Sequence, residues 1–203
     1  MIALRALAPY AATSPRAAPT PRCEICGSEL GEPHRHVVEL GKRGAMCACQ
    51  ACAILFSHSE RGRQFRTIPD RFLTDGSFAM TAPRWASLGI PVTLAFFYLD
   101  STRDTVVAAY PGPAGITDAD LDPMAWNAIS STTPLAGMLE PDVEALLVRG
   151  GRAEPSCHLV PISTAYELVG RLRSCWRGFS GGDAAERELA ELFTDIQRRG
   201  GQR

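Results

Sequence analysis

The stretch Cys23-Glu24-Ile25-Cys26-Gly27, answered by Cys47-Ala48-Cys49-Gln50-Ala51-Cys52 with His34-Arg35-His36 between them, decides how the N-terminal part of this chain folds. Five of the seven cysteines and two of the four histidines fall within residues 23–52. The pairs Cys23/Cys26 and Cys49/Cys52 are each C-x-x-C, and twenty-two residues separate them. A two-residue spacer lets the backbone curl so that both sulfurs point inward, and two such turns facing each other make a tetrahedral four-sulfur site. That donor set suits Zn(2+) or, as the alternative, a single rubredoxin-like iron. Gly27 permits the positive φ that such a turn uses. Between the pairs, Val37-Val38-Glu39-Leu40 reads as a short strand and Gly41-Lys42-Arg43-Gly44 as a hairpin turn. Ala53-Ile54-Leu55-Phe56 reads as a second apolar strand docking this unit on the main core. The order knuckle, hairpin, knuckle predicts a zinc-ribbon or rubredoxin-like module over residues 23–56, whose folding free energy comes largely from its metal.

Cys47, His34 and His36 are left over, and three readings are open for them. Cys47 replaces Cys49 or a histidine replaces a thiolate, the two histidines and Cys47 hold a second metal with an open position, or the histidines are hydrogen-bond donors to the sulfurs. Beside these stands the plain reading of His34 and His36 as surface histidines on a hairpin arm, with Arg35 between them pointing to exposure. A Rieske centre does not fit, because it needs one histidine after one cysteine in each loop.

The remaining composition bounds the function. At 203 residues and 45% hydrophobic the chain can bury a sizeable core, and a net charge of −1 argues against a nucleic-acid or membrane-surface role for the whole protein. From Pro33 to Arg71 seven Lys/Arg face three Asp/Glu, a local bias that reads as a solvated face or an acidic protein partner. No apolar run has the length of a membrane span. Residues 1–22 carry Pro9, Pro15, Pro19 and Pro21, have no sustained apolar core, and read as a disordered leader rather than a signal peptide. Crowding of the cysteines into one array, rather than a spread framework, predicts reduced thiols and a cytoplasmic protein.

Residues 57–84 read as a connector and 85–203 as an α+β domain of antiparallel β-hairpins with C-terminal helices. Ile90 to Leu99 and Thr105 to Tyr110 form the first hairpin, with a loop from Pro111 to Gly115. Asp122-Pro123 starts a helix. Val143 to Val148 fits helix or strand, and its Gly150-Gly151 exit with the run Cys157 to Ile162 favours a second hairpin, on which Glu144 is either a buried or cleft carboxylate or an edge carboxylate in water. Ser163 or Thr164 caps a helix with Ala165, Leu168, Val169, Leu172 and Trp176 on one face. After a break from Gly178 to Gly182, Asp183 and Glu186 open a second helix striped by Ala185, Leu189, Leu192, Phe193 and Ile196.

No catalytic constellation stands out. The nucleophile-elbow, zinc-protease and dinucleotide-binding motifs are missing. Cys157 and His158 are neighbours on a strand and point to opposite faces. Cys175 reads as a buried small hydrophobe. An enzyme with a cleft around Glu144 and Arg171 is the weakest reading.

The chain resembles a family of uncharacterised bacterial proteins often encoded near uptake NiFe-hydrogenase genes. The resemblance rests on Cys23-x-x-Cys26, His34-Arg-His36, Cys47-x-Cys49-x-x-Cys52, Trp85 with Ile90-Pro91-Val92, Tyr110-Pro111 with Ala114-Gly115, Asp142 to Leu147, and Leu168-Val169-Gly170 with Trp176-x-Gly178. It implies a metal-binding accessory protein that docks a NiFe-hydrogenase subunit or maturation factor. The competing expectation is a rubredoxin-like electron carrier.

Overall fold

The computed structural model describes residues 20–42, 44–57, 64–112, 115–151, 154–175 and 182–200. Most of the expected leader, Arg43, Arg61, Arg63, Pro113, Ala114, Trp176 and most of the break after Gly178 lie outside the described residues. The architecture is mixed α and β, with two antiparallel sheets and helices at the C-terminal end.

The larger sheet is built on β5 (Leu94–Asp100), whose run Leu-Ala-Phe-Phe-Tyr is buried at every position. A strand buried on both faces must be covered on both, and the period of two sorts its side chains. Phe96 and Tyr98 face a core shared with the C-terminal helices α4 (Ile162–Cys175) and α5 (Gly182–Gly200). Ala95 and Phe97 face the opposite core, with Trp85 of α2 (Ala82–Ala86), Ile129 of α3 (Pro123–Ser130), and Leu135 of a 3-10 turn (Pro134–Met138). Asp122 caps α3, accepting from the Met124 N–H at 2.8 Å with Pro123 in the first turn, as expected. Helix α4 starts at Ile162, straight from β9 (Ser156–Pro161), one residue ahead of the expected cap. Its stripe Ala165, Leu168, Val169 and Leu172 is buried, as are Ala185, Leu192, Phe193 and Ile196 of α5.

The strand order of this six-stranded sheet runs from β4 (Leu73–Asp75) through β9, β8 (Glu144–Arg149), β5 and β6 (Thr105–Gly112) to β7 (Gly115–Asp120). Both expected hairpins are present: β5 with β6 (Thr105–Gly112), and β8 (Glu144–Arg149) with β9. The run after Tyr110 differs from the expected loop. Strand β6 continues to Gly112, and β7 (Gly115–Asp120) returns antiparallel to it, with Gly112 opposite Gly115. Ile-Thr-Asp-Ala-Asp is a weak strand former whose pairing comes from β6, and its two aspartates suit an exposed edge.

The smaller, three-stranded sheet has the order β2-β1-β3: β1 (Arg35–Glu39), β2 (Gly44–Ala48) and β3 (Phe65–Thr67). The expected hairpin is there, but Ala53-Ile54-Leu55-Phe56 is not a strand. It belongs to helix α1 (Gln50–Ser57). A short apolar run has no period of its own to choose between the two, and the knuckle chooses. Ala53 N–H donates to the Cys49 carbonyl at 2.9 Å, the first helical bond, while Cys49 Sγ accepts from the Cys52 N–H at 3.5 Å as a helix cap. The docking expected of that run falls instead to Val38 and Ile68, both members of the main core. Within the expected connector, residues 64–84 contribute strands to both sheets. β3 completes the small one, and β4 (Leu73–Asp75) adds to the large one beside β9.

Candidate metal centre

The first knuckle is a turn closed by Gly27 N–H to the Cys23 carbonyl at 2.8 Å and Cys23 N–H to the Ser28 carbonyl at 2.8 Å. Gly27 takes φ 77°, the positive value its position requires. The second knuckle is the start of α1. Between them runs the β1–β2 hairpin, which brings the two ends face to face.

There the ligand atoms of Cys23, Cys26, Cys49 and Cys52 lie within 4.8 Å of one another. Cys26 and Cys49 Sγ are 3.7 Å apart, far beyond disulfide length. Zinc–sulfur bonds of about 2.3 Å at tetrahedral angles place ligand sulfurs about 3.8 Å apart, so the spacing matches one shared ion. Cys23 and Cys52 are buried, Cys49 is half-buried and Cys26 is exposed. Burial of Cys23 favours its thiol, yet hydrogen bonds from the backbone N–H groups of Cys49, Cys26 and Ile25 outweigh it and lower the pKa to about 6. For Cys49 the Cys52 N–H leads the downward shift, with Ser28 adding to it. Burial, with the proton shared toward the neighbouring sulfurs, pushes Cys52 up to about 12. Four packed sulfurs cannot all ionise alone, and a divalent cation removes that conflict.

Cys47 is not part of this group. Its Sγ lies 3.1 Å from His34 Nε2, and the ligand atoms of His34, His36 and Cys47 also fall within 4.8 Å of one another. Strand geometry makes this trio. His36 pairs directly with Cys47 across β1 and β2, and His34 sits two residues earlier on the same face. Both histidines line a cavity of about 800 Å³ between the small sheet and the start of α4, with Ile68, Phe72 and Thr164 on other walls. Burial, reinforced by the neighbouring His34, holds His36 below its usual pKa. Burial, helped by the carboxylates of Glu24 and Glu32, raises that of Cys47.

Two acidic residues at this site went unnoticed in the sequence. Glu24, inside the first knuckle, accepts from the Cys47 N–H through its carboxylate, while its own N–H donates to the Cys47 carbonyl at 2.9 Å. It ties the knuckle to β2. Glu32 Oε1 lies 3.4 Å from His34 Nδ1. Neither carboxylate forms part of a spacing pattern, so only the fold reveals its role.

The remaining candidates do not converge. Glu144 is fully buried and held by Arg71, whose Nε donates to Oε1 at 2.8 Å, while Arg171 pairs with Glu167 on exposed helix surface. Cys157 and His158 do point to opposite cores, and burial pushes the Cys157 thiol up to about 12, leaving it unreactive. Cys175 packs partly buried beside the main core. Arg66 and Arg71 of the basic stretch are engaged internally, Arg66 with the Pro141 carbonyl at 2.7 Å. Among the described residues no helix is long and apolar enough to cross a membrane.

No curated protein and no solved structure matches the chain. Residues 22–200, which take in both cysteine knuckles and both sheets, match the model of a family of unknown function (DUF5947), and the chain belongs to that family.

Proposed function

We propose that this protein binds one zinc ion through Cys23, Cys26, Cys49 and Cys52 and serves as an accessory protein that docks a partner through the metal-organised module. The observation that carries the reading is the 3.7 Å spacing of Cys26 and Cys49 sulfurs drawn from opposite knuckles. The module's own core is small, namely Cys23, Leu30, Val37, Ala48 and Cys52, so two of its five buried side chains are themselves ligands. Such a unit depends on its ion to stay folded. Docking is supported by the apolar side chains that the cysteine-bearing segments leave in solvent, Ile25, Ile54 and Leu55. A hydrogenase subunit or maturation factor as that partner follows from the resemblance alone. Pull-down with the tagged protein tests it, and loss of capture on Ile54→Asp with Leu55→Asp would tie it to this surface.

Metal analysis tests the centre itself. Cys23→Ser, Cys26→Ser, Cys49→Ser and Cys52→Ser each lose this ion and loosen residues 23–57, while the six-stranded sheet stays folded. Retention of full metal content by any one of the four variants refutes the site. The rubredoxin-like alternative is favoured by the exposure of Cys26, which brings solvent to a ligand sulfur. A ferric four-thiolate site absorbs strongly in the visible range and gives a reversible redox wave, whereas zinc does neither.

A further inference from the structure

We infer that His34, His36 and Cys47 form a second, separate metal site, which takes a divalent cation of the zinc class and leaves one coordination position open to exchangeable small ligands from the adjoining cavity. Two imidazoles and one thiolate are a borderline-soft donor set, suited to zinc rather than to calcium or magnesium. Three protein ligands in place of four are the mark of a site that keeps a position for water or another small Lewis base.

The backbone supports the assignment. His36 and Cys47 are opposite each other in the hairpin register, so their side chains leave the sheet on one face, and His34 joins them two residues away. The rings of His34 and His36 are 4.8 Å apart between centroids. His34 Nε2 stands 3.1 Å from Cys47 Sγ. Nitrogen and sulfur bound to one tetrahedral zinc are about 3.5 Å apart, a change that a small side-chain rotation supplies. All three residues are half-buried, so an ion would be neither sealed in nor fully washed by solvent.

Orientation of His34 is the second, independent observation. Its Nδ1 is buried and makes no hydrogen bond among the described residues, with the Glu32 carboxylate 3.4 Å away. A carboxylate this close favours the proton on that nitrogen and leaves the other as a lone-pair donor, and a small shift that closes the contact into a hydrogen bond would complete the arrangement found behind metal-bound histidines. The lone pair of Nε2 then points at the trio. Because His34 and His36 both line the cavity of about 800 Å³, small molecules have a route to the ion.

The site stands apart from the four-cysteine centre, though Glu24 links them mechanically, and the two readings fail independently. The full chain, with its tightly held metal retained and labile ions removed by a chelating resin, is titrated with Co(2+). One further equivalent binds, and azide or imidazole shifts its visible bands. His36→Ala, His36→Gln and Cys47→Ala abolish that equivalent while the retained metal stays. Absence of a further equivalent, its persistence in all three variants, or bands indifferent to both added ligands would each overturn the inference. If the cysteine centre is what fails, the wild type holds a single cobalt that Cys26→Ser leaves and His36→Ala removes. If this inference is what fails, the only bound metal is the one that Cys26→Ser removes.

Discussion

Removing the Arg71 side chain should cost about 3 kcal/mol, because it leaves a fully buried carboxylate without its cation. Glu144 has no exposure, and its partners are the Arg71 fork and the Glu140 N–H, which donates to Oε2 at 3.0 Å. The guanidinium also reaches the Met138 carbonyl at 2.8 Å. Breaking a buried pair from one side costs about 3–5 kcal/mol. The lower end applies here because a quarter of the Arg71 side chain is exposed, and water can enter behind the truncated residue. Replacing both partners by apolar residues of similar size removes charge and counter-charge together, so Arg71→Met with Glu144→Leu should lie within about 1 kcal/mol of the wild type. Urea unfolding followed by tryptophan fluorescence measures each variant, and the double-mutant cycle isolates the coupling. Arg71→Ala within 1 kcal/mol of the wild type would refute the argument, since Glu144 would then not depend on its cation.

Stability should also respond to pH through His158. Burial, with the charge of Arg149 adding to it, holds this imidazole at about 4 against an ordinary 6.5. The folded state therefore resists the proton that the unfolded state accepts. Stability is fully present above pH 6.5 and falls by about 3 kcal/mol as the pH drops toward 4. His158→Gln should flatten that part of the curve, and an unchanged slope in the variant would assign it elsewhere. Gly150→Ala places a methyl 2.1 Å from Cε3 of the buried Trp85, so the indole must move. The expected loss is at or above the upper end of the roughly 1–3 kcal/mol of overpacking, with a shift in tryptophan emission, and a silent substitution would contradict this packing. Glu32→Gln should weaken Co(2+) binding at the proposed second site about tenfold, the low end for a carboxylate behind a histidine, because the Glu32 side chain is largely exposed. Unchanged affinity would remove Glu32 from the orienting role.

What could be read from the sequence is what short-range chemistry dictates. The C-x-x-C turns, the positive φ at Gly27, the cap at Asp122 and the two hairpins of the large sheet each depend on residues within a few positions of one another. The apolar stripes of α4 and α5 were legible for the same reason, since a period of 3.6 is written along the chain. Tertiary structure decided the rest. The run Ala53 to Phe56 carries no period, and its helical state follows from the Cys49 cap and the packing of α1 beside β3. Strand β7 exists because β6 offers it an edge, and β4 because β9 does. Glu144 could be read as a candidate buried carboxylate, but its counter-ion stands seventy-three residues earlier, in a stretch read as a connector. The histidines and Cys47 were visible as spare donors. Their grouping apart from the four sulfurs depends on the β1–β2 register, in which a slip of one residue would turn Cys47 to the other face.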